Sequence, residues 1–330
     1  MPFISSVRGS FSPSGRSKRT GAKDLIIGGT ITTAGGYRIH AFTNTGSNTF
    51  STLDYGFSLP VEILMVGGGG GSGTYAGGGG GGEVLYISRT ITSGSYSLNV
   101  GAGGIGDASS YNTAKNGNPT TGFGETAKPG GGARSSDDRD APISGTGTYS
   151  TVANGGGGSS RSGGYFGSLG TSAGSGVTRY GGNRGGQDDN TSSSPNQSPN
   201  YCGGGGGGAG ASVTGNSGGT TPTSGGAGVA NSILGTSYYW GGGGGGGVYY
   251  NSPSVTAGSG GVGGGGGAGN NSPGSGGTGY NNGQTGSSSS PYNGGNGGAN
   301  TGGGAGAGRG ETQGRGGDGG SGIIVVRYAI

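Results

Sequence analysis

The chain has 330 residues, of which 100 are glycine, 26% are hydrophobic and 9% are charged. Uninterrupted glycine runs and only 12 prolines exclude a collagen repeat, and a formal net charge of +4 is not typical of ordinary disorder. The single cysteine, Cys202, excludes an internal disulfide framework.

The positive charge is weak and spread thinly along the chain, so we expect no nucleic-acid partner. Two Arg-Gly-Gly units, at Arg184 and Arg315, are too few to indicate an RNA-binding segment. No stretch approaches 18 apolar residues, which predicts no membrane insertion. The N-terminus lacks the apolar core of a secretory signal, so we expect a soluble protein made without a signal peptide.

The first predicted region, residues 1–24, is basic and polar and has no apolar periodicity. This pattern predicts an extended N-terminal arm that serves assembly. Its candidate assembly contacts are Val7, Arg8, Phe11 and Arg16.

The second region, residues 25–104, has the signals of short strands. "LIIGGTIT" leads into a turn at 34–36, and "YRIHAFTNTGSNTFS" alternates apolar and polar residues. Three further strands are predicted, "VEILMV" (61–66), "EVLYIS" (83–88) and "YSLNV" (96–100). The first of these is apolar nearly throughout, as in a strand covered on both faces. We predict a small β-sandwich core, completed by a strand in 322–330, with essentially no α-helix.

The third region, residues 105–321, contains most of the glycine blocks, separated by polar segments. Ordering a glycine costs roughly 0.5–1 kcal/mol more than ordering an alanine in regular structure. Isolated loops could not offset that cost over so many residues, whereas a hydrogen-bonded lattice could. We therefore predict a bundle of polyglycine helices of the polyproline II type joined by polar loops, with a flexible linker as the alternative.

The catalytic signals are weak throughout the chain. "GAGGIG" (101–106) matches a nucleotide-binding pattern, but no helix follows it and chance explains it in so glycine-rich a chain. The single histidine, His40, lies in an alternating strand, and no Gly-x-Ser-x-Gly elbow is present to form a hydrolytic triad with it. We expect a non-enzyme without a cofactor.

Metal ligands are equally scarce, since one histidine and one cysteine cannot form a His/Cys cluster. The carboxylates Asp137, Asp138 and Asp140, and the pair Asp188 and Asp189, lie in polar loops without EF-hand spacing. We interpret them as solvated side chains and predict no metal site.

Aromatic residues are the most informative side chains, because many lie beside glycine blocks. Tyr and Trp combine a large contact area with a polar tip and are favoured on binding surfaces. The alternative is that these rings pack on the faces of the glycine lattice. The candidate recognition residues are Tyr165, Phe166, Tyr180, Tyr201, Tyr238, Tyr239, Trp240, Tyr249 and Tyr250.

Three stretches resemble a known family. "GGYRIHAFTNTGSNTFS" followed by "VEILMVGGGGG", then "YSLNVGAGG" and "GGSGIIVVRY", resemble the glycine-rich domain of phage tail and virion proteins from Gly35 to Tyr328. "SSVRGSFSPSGR" is similar to the N-terminal arms of structural proteins in cyanophages. The layout also resembles the polyglycine fibre-tip adhesins of T-even-type phages, in which loops at the end of the bundle contact the host receptor.

The resemblance implies a virion protein of a tail fibre or appendage, made in the host cytoplasm and displayed on the particle surface. Its implied partners are other virion proteins and a host cell-surface glycan or outer-membrane protein. Fibre proteins are commonly trimeric, although no coiled-coil heptad here enforces a trimer. The long polar stretches 107–154 and 187–200 depart from the pattern. The alternative is a structural or decorative subunit of a capsid, tail or extracellular filament without a receptor role.

Overall fold

The structure is a computed structural model that describes most of the chain. The described residues are 26–52, 58–74, 76–107, 114–133, 151–158, 168–170, 175–186, 202–213, 221–248, 255–310, 312 and 314–330. Within these ranges the regular secondary structure is entirely β, and every pair of neighbouring strands is antiparallel. The predicted all-β class is therefore confirmed.

Thirteen strands are present in the described part of the chain. They are β1 (Ile26–Ile27), β2 (Thr30–Ala34), β3 (Tyr37–Phe42), β4 (Gly46–Thr52), β5 (Ser58–Val66), β6 (Val84–Thr92), β7 (Gly94–Val100), β8 (Thr120–Gly122), β9 (Glu125–Ala127), β10 (Val177–Tyr180), β11 (Val229–Asn231), β12 (Tyr238–Trp240) and β13 (Ile323–Ala329).

A six-stranded sheet in the order β10-β6-β5-β13-β3-β2 forms the centre of the molecule. Strand β13 lies between β5 and β3, with Val325 opposite both Leu64 and Ala41. The first four residues of β13 are all buried, which explains its continuous apolar sequence. Strands far apart in the chain thus share the most buried part of the sheet.

The two faces of this sheet pack against different partners. On one face, Ile63 and Ile324 pack against Phe50 and Leu98 of a five-stranded sheet in the order β1-β4-β7-β8-β9. On the other face, a separate apolar cluster contains Leu64, Val66, Ile323 and Val325 together with Ile233 and Trp240 from the β11–β12 hairpin region. The central strands are apolar on both faces because both faces are covered.

The glycine-rich segments between the strands are hydrogen-bonded to one another through their backbones. Segment 67–72 donates its six backbone amides to three neighbouring segments, with N···O distances of 2.8–3.1 Å. The first and fourth amides donate to 80–83, the second and fifth to 115–118, and the third and sixth to 317–320. Amides three residues apart therefore donate to the same neighbouring segment. Residues 67–72 and 80–83 are all buried, so their peptide groups need these partners.

Segment 78–83 shows the same pattern with other partners. Its first and fourth amides donate to 204–207, its second and fifth to 302–305, and its third and sixth to 128–131, at 2.8–2.9 Å. The packing leaves no room for side chains, because a Cβ on Gly78 would come closer than 3.0 Å to the carbonyl oxygen of the facing segment. Glycine is thus required here by close backbone approach.

The glycine-rich segments run away from the sheets and return to them. Residue 67 follows β5 and residue 83 precedes β6, so Thr74 and Ala76 lie at the far end of their two segments. At this end Thr74 forms a bridge with Gly308, and Cys202 forms one with Val248. We call it the distal end, defined by a small buried cluster of Cys202, Val248, Val255, Ala257, Ala268 and Ala307.

Candidate functional site

The three predicted recognition residues of strand β12 differ in their exposure to solvent. Tyr239 is 44% exposed, whereas Trp240 is fully buried and Tyr238 is half-buried. The indole of Trp240 stacks on Tyr280, with ring centroids 5.4 Å apart and planes 22° apart. Side chains alternate between the two faces of a strand, so a partner at this surface reaches Tyr239 and not Trp240. The position of Trp240 therefore does not support a direct contact with a receptor.

Tyr180 is the second predicted residue that the structure places on the surface. It ends strand β10, which is an edge strand of the six-stranded sheet, and it is 37% exposed. It is followed by Gly181 and Gly182, whose φ angles of +155° and +77° turn the chain into a glycine-rich segment. Tyr180 and the β12 residues lie on or beside the sheets, away from the distal end.

The remaining predicted recognition residues lie outside the described part of the chain. They are Tyr165, Phe166, Tyr201, Tyr249 and Tyr250, and the same holds for the assembly contacts Val7, Arg8, Phe11 and Arg16 and for the aspartates at 137, 138, 140, 188 and 189.

The described residues that flank two of these stretches do lie at the distal end. Gly186 donates to Gly205, which lies three residues from Cys202, and Cys202 pairs with Val248. Val255 belongs to the same buried cluster as Cys202 and Val248. The described residues on both sides of 187–201 and of 249–254 therefore lie at the distal end.

A buried arginine supports this end of the molecule. Arg309 is only 2% exposed, and its guanidinium lies 4.6 Å from the centre of the Tyr292 ring. The backbone amide of Gly310 donates to Val248, and Asn270 Nδ2 donates to the carbonyl of Val255 at 2.7 Å. These contacts hold the ends of the glycine-rich segments side by side and give the distal end a fixed platform.

A buried ion network joins the sheets to the glycine-rich segments, and sequence reasoning missed it. Arg179 donates to Glu83 Oε1 at 3.2 Å and to Glu125 Oε2 at 2.8 Å, and both carboxylates are almost fully buried. Glu83 also accepts from the backbone amides of Lys128 and Gly170. A charged residue directly after six glycines and before an apolar strand is the signal that could have indicated it. With both carboxylates paired, the network is suited to holding parts of the fold together.

The single histidine of the chain also has a role in holding the fold together. His40 is fully buried; Nδ1 lies 2.8 Å from the carbonyl oxygen of Gly28, and Nε2 lies 3.1 Å from the hydroxyl of Tyr328. Burial lowers the pKa of His40 below its ordinary value of 6.5, the bond to Gly28 opposes this, and the charge of Arg38 adds to the lowering. The ring is therefore a neutral hydrogen-bonding link between strands.

Across the described ranges, no three His, Cys, Asp or Glu side chains come together as a metal site would require. In the same ranges, no helix has the length and apolarity needed to span a membrane. Comparison with known protein families and with curated proteins finds no match to this chain.

Proposed function

We propose that this chain is a non-enzymatic structural protein of a virion tail fibre or similar appendage, and that it binds the host surface through its distal end. The observation that supports this proposal best is the regular backbone hydrogen bonding of the glycine-rich segments. The family resemblance of the sequence supplies the setting, a phage particle. The partner in this proposal is a host cell-surface glycan or outer-membrane protein.

The proposal includes a specific form for the glycine-rich segments, namely a bundle of polyglycine helices. A threefold helix of the polyproline II type has three residues per turn, so every third amide should point to the same neighbour. The amides of 67–72 and 78–83 follow this period. Segment 78–83 also accepts hydrogen bonds from three further segments, at 67–73, 155–158 and 241–247, which gives it six hydrogen-bonded neighbours.

Such a bundle suits the tip of an appendage for a physical reason. Its cohesion comes from backbone hydrogen bonds between residues that are mostly glycine, so the stretches that join the helices can change without altering the packing. The described residues that flank 187–201 and 249–254 lie at the distal end. These two stretches contain Tyr201, Tyr249 and Tyr250, a residue type favoured on binding surfaces.

The test is the position of the chain on phage particles. Gold-labelled antibody against residues 187–200 is added to intact particles, which are then imaged by electron microscopy. We expect label at the outer ends of tail appendages. Label over the head or along a shaft would overturn the receptor-binding proposal and favour a structural or decorative subunit.

A further inference from the structure

A groove of about 460 Å³ lies at the end of the sandwich opposite to the glycine-rich segments. It is lined by residues 89–92 of β6, residues 95–97 of β7 and the turn at 123–124. The strand ends that lead into the glycine-rich segments, such as Val84 and Val100, are at the other end of β6 and β7. The volume falls within the range of small-molecule sites, about 300–1,000 Å³.

Two aromatic rings form one wall of this groove. The ring centroids of Tyr96 and Phe123 are 5.1 Å apart, with an angle of 33° between the planes. Both side chains are half-buried, and Phe50 supports them from the core at 6.3 and 6.0 Å. The wall therefore consists of two partly exposed rings held in place by the core.

The backbone at Phe123 is unusual for such a residue. Phe123 and Gly124 form the two-residue turn between β8 and β9, with φ angles of +53° and +76°. Turns of this geometry favour Asn-Gly or Asp-Gly, and a side chain with a Cβ in this conformation costs about 1–2 kcal/mol. Strain of this kind is concentrated at ligand sites, where a side chain must be held in a particular place.

Arg89 holds this turn in position. Its Nη1 donates to the carbonyl of Phe123 at 2.8 Å, and its Nη2 donates to Glu125 Oε1 at 3.1 Å. Glu125 is paired in turn with Arg179, and Arg179 with Glu83, so the two arginines and two carboxylates of this cluster carry no net charge beside the groove. An anionic ligand would therefore gain little electrostatic attraction from Arg89.

The rest of the rim consists of residues that carry hydroxyl groups. Thr90, Thr92, Ser95 and Ser97 are all exposed, whereas Ile91 between the two threonines is buried. Hydroxyl groups both donate and accept hydrogen bonds, as the hydroxyl groups of a sugar do. The lining thus offers aromatic faces and neutral polar groups, with its charge internally balanced.

We propose that this groove binds a neutral pyranose sugar, whose apolar C–H face packs on Tyr96 and Phe123 while its hydroxyl groups bond to the serine and threonine rim. The site is independent of the proposed distal receptor contacts, because it lies at the opposite end of the molecule.

The test uses the full-length chain and saturation-transfer NMR with the methyl glycosides of glucose, galactose, mannose and N-acetylglucosamine. We expect at least one glycoside to bind the wild-type protein. Phe123→Asn removes the ring but supplies a residue that the turn prefers, so relief of the turn strain should offset part of the lost packing, the protein should stay folded, and binding should weaken at least tenfold. Tyr239→Ala, an exposed aromatic change elsewhere, is the matched control and should bind like the wild type.

Two results would overturn the proposal. One is that none of the four glycosides binds, and the other is that the Phe123→Asn protein binds as tightly as the wild type. If no glycoside binds and a synthetic peptide of residues 1–24 shifts the NMR signals of Tyr96 and Phe123, the groove is instead a docking site for the chain's own N-terminal arm. Adsorption of phage particles decides neither result, so the distal receptor proposal is tested separately.

Discussion

The hydroxyl of Tyr328 lies 3.1 Å from Nε2 of His40 and joins strand β13 to strand β3 in the centre of the six-stranded sheet. The other ring nitrogen, Nδ1, lies 2.8 Å from the carbonyl oxygen of Gly28. A neutral imidazole satisfies both partners, with Nδ1 donating and Nε2 accepting. Protonation would give Nε2 a proton and leave it without its accepting role.

Stability should therefore depend on pH through His40. Its pKa is lowered in the folded protein, so the unfolded chain binds a proton first as the pH falls. The contribution of neutral His40 to the free energy of unfolding is fully present above about pH 6.5. It is lost as the pH falls from there toward the lowered pKa of the folded protein, by at most about 1.4 kcal/mol for each pH unit. Urea unfolding between pH 8 and pH 5.5 measures it. A His40→Gln protein should lack this slope, and an equal slope in that variant would assign the effect to carboxylates.

The glycine lattice should not accept a methyl group at most of its positions. A Cβ on Gly244 would come closer than 3.0 Å to the backbone carbonyl of Ala305. We expect Gly244→Ala to lower the free energy of unfolding by about 1–3 kcal/mol or more, since a backbone cannot move aside as a side chain can. Gly73→Ala is the control, because its Cβ would meet only the Ala76 Cβ at 3.7 Å. Thermal unfolding compares the two, and equal loss in both would contradict the close packing described for these segments.

The buried ion network should be far more sensitive to mutation than an exposed pair. Arg179→Ala leaves Glu83 without its arginine partner and removes one of the two arginines of Glu125, and both are buried. We expect a loss of about 3–5 kcal/mol. Arg315→Ala breaks a pair with Asp318 in which both side chains are about 40% exposed, so it should cost less than about 1 kcal/mol. Denaturant unfolding of both proteins measures the difference, and a small loss for Arg179→Ala would mean that water reaches the network.

The two groups of tyrosines should differ in phage adsorption. Under the proposed function, Tyr249→Ala combined with Tyr250→Ala should reduce adsorption to host cells at least tenfold, because Val248 and Val255, the described residues on either side of their stretch, lie at the distal end. Tyr239→Ala should leave adsorption unchanged, since Tyr239 is exposed beside the sheets. The measurement is the rate of particle loss from the supernatant. The reverse result would move the receptor contact to the β12 surface.

The sequence was sufficient to predict the long strands, because their buried positions are occupied by apolar residues in a recognisable pattern. Strands β5, β6, β7 and β13 lie where "VEILMV", "EVLYIS", "YSLNV" and "SGIIVVRYAI" indicated them. The short strands β8 to β12 went unpredicted, since three or four residues within glycine-rich sequence have too little pattern and are stabilised by their tertiary pairing. The burial of Trp240 was missed for the same reason.

The pairing of the glycine-rich segments could not be predicted at all. Partner choice elsewhere in a protein is specified by side chains, and a run such as 241–247 has none. Its neighbours are instead fixed by the lengths of the segments and by the sheets that anchor them. For example, 244 donates to Gly79 and 243 to Gly226, partners that nothing in a uniform run distinguishes.

The central place of β13 has a consequence during synthesis. Strand β5 ends at residue 66 and β13 begins at residue 323, so a ribosome adds 257 residues (323 minus 66) before the sheet can close. At about 5–20 residues per second this takes roughly 13–50 s. Throughout that interval β3 and β5 each have an open edge that can pair with another nascent chain. Production of this protein should therefore benefit from slow expression or from chaperones that shield strand edges.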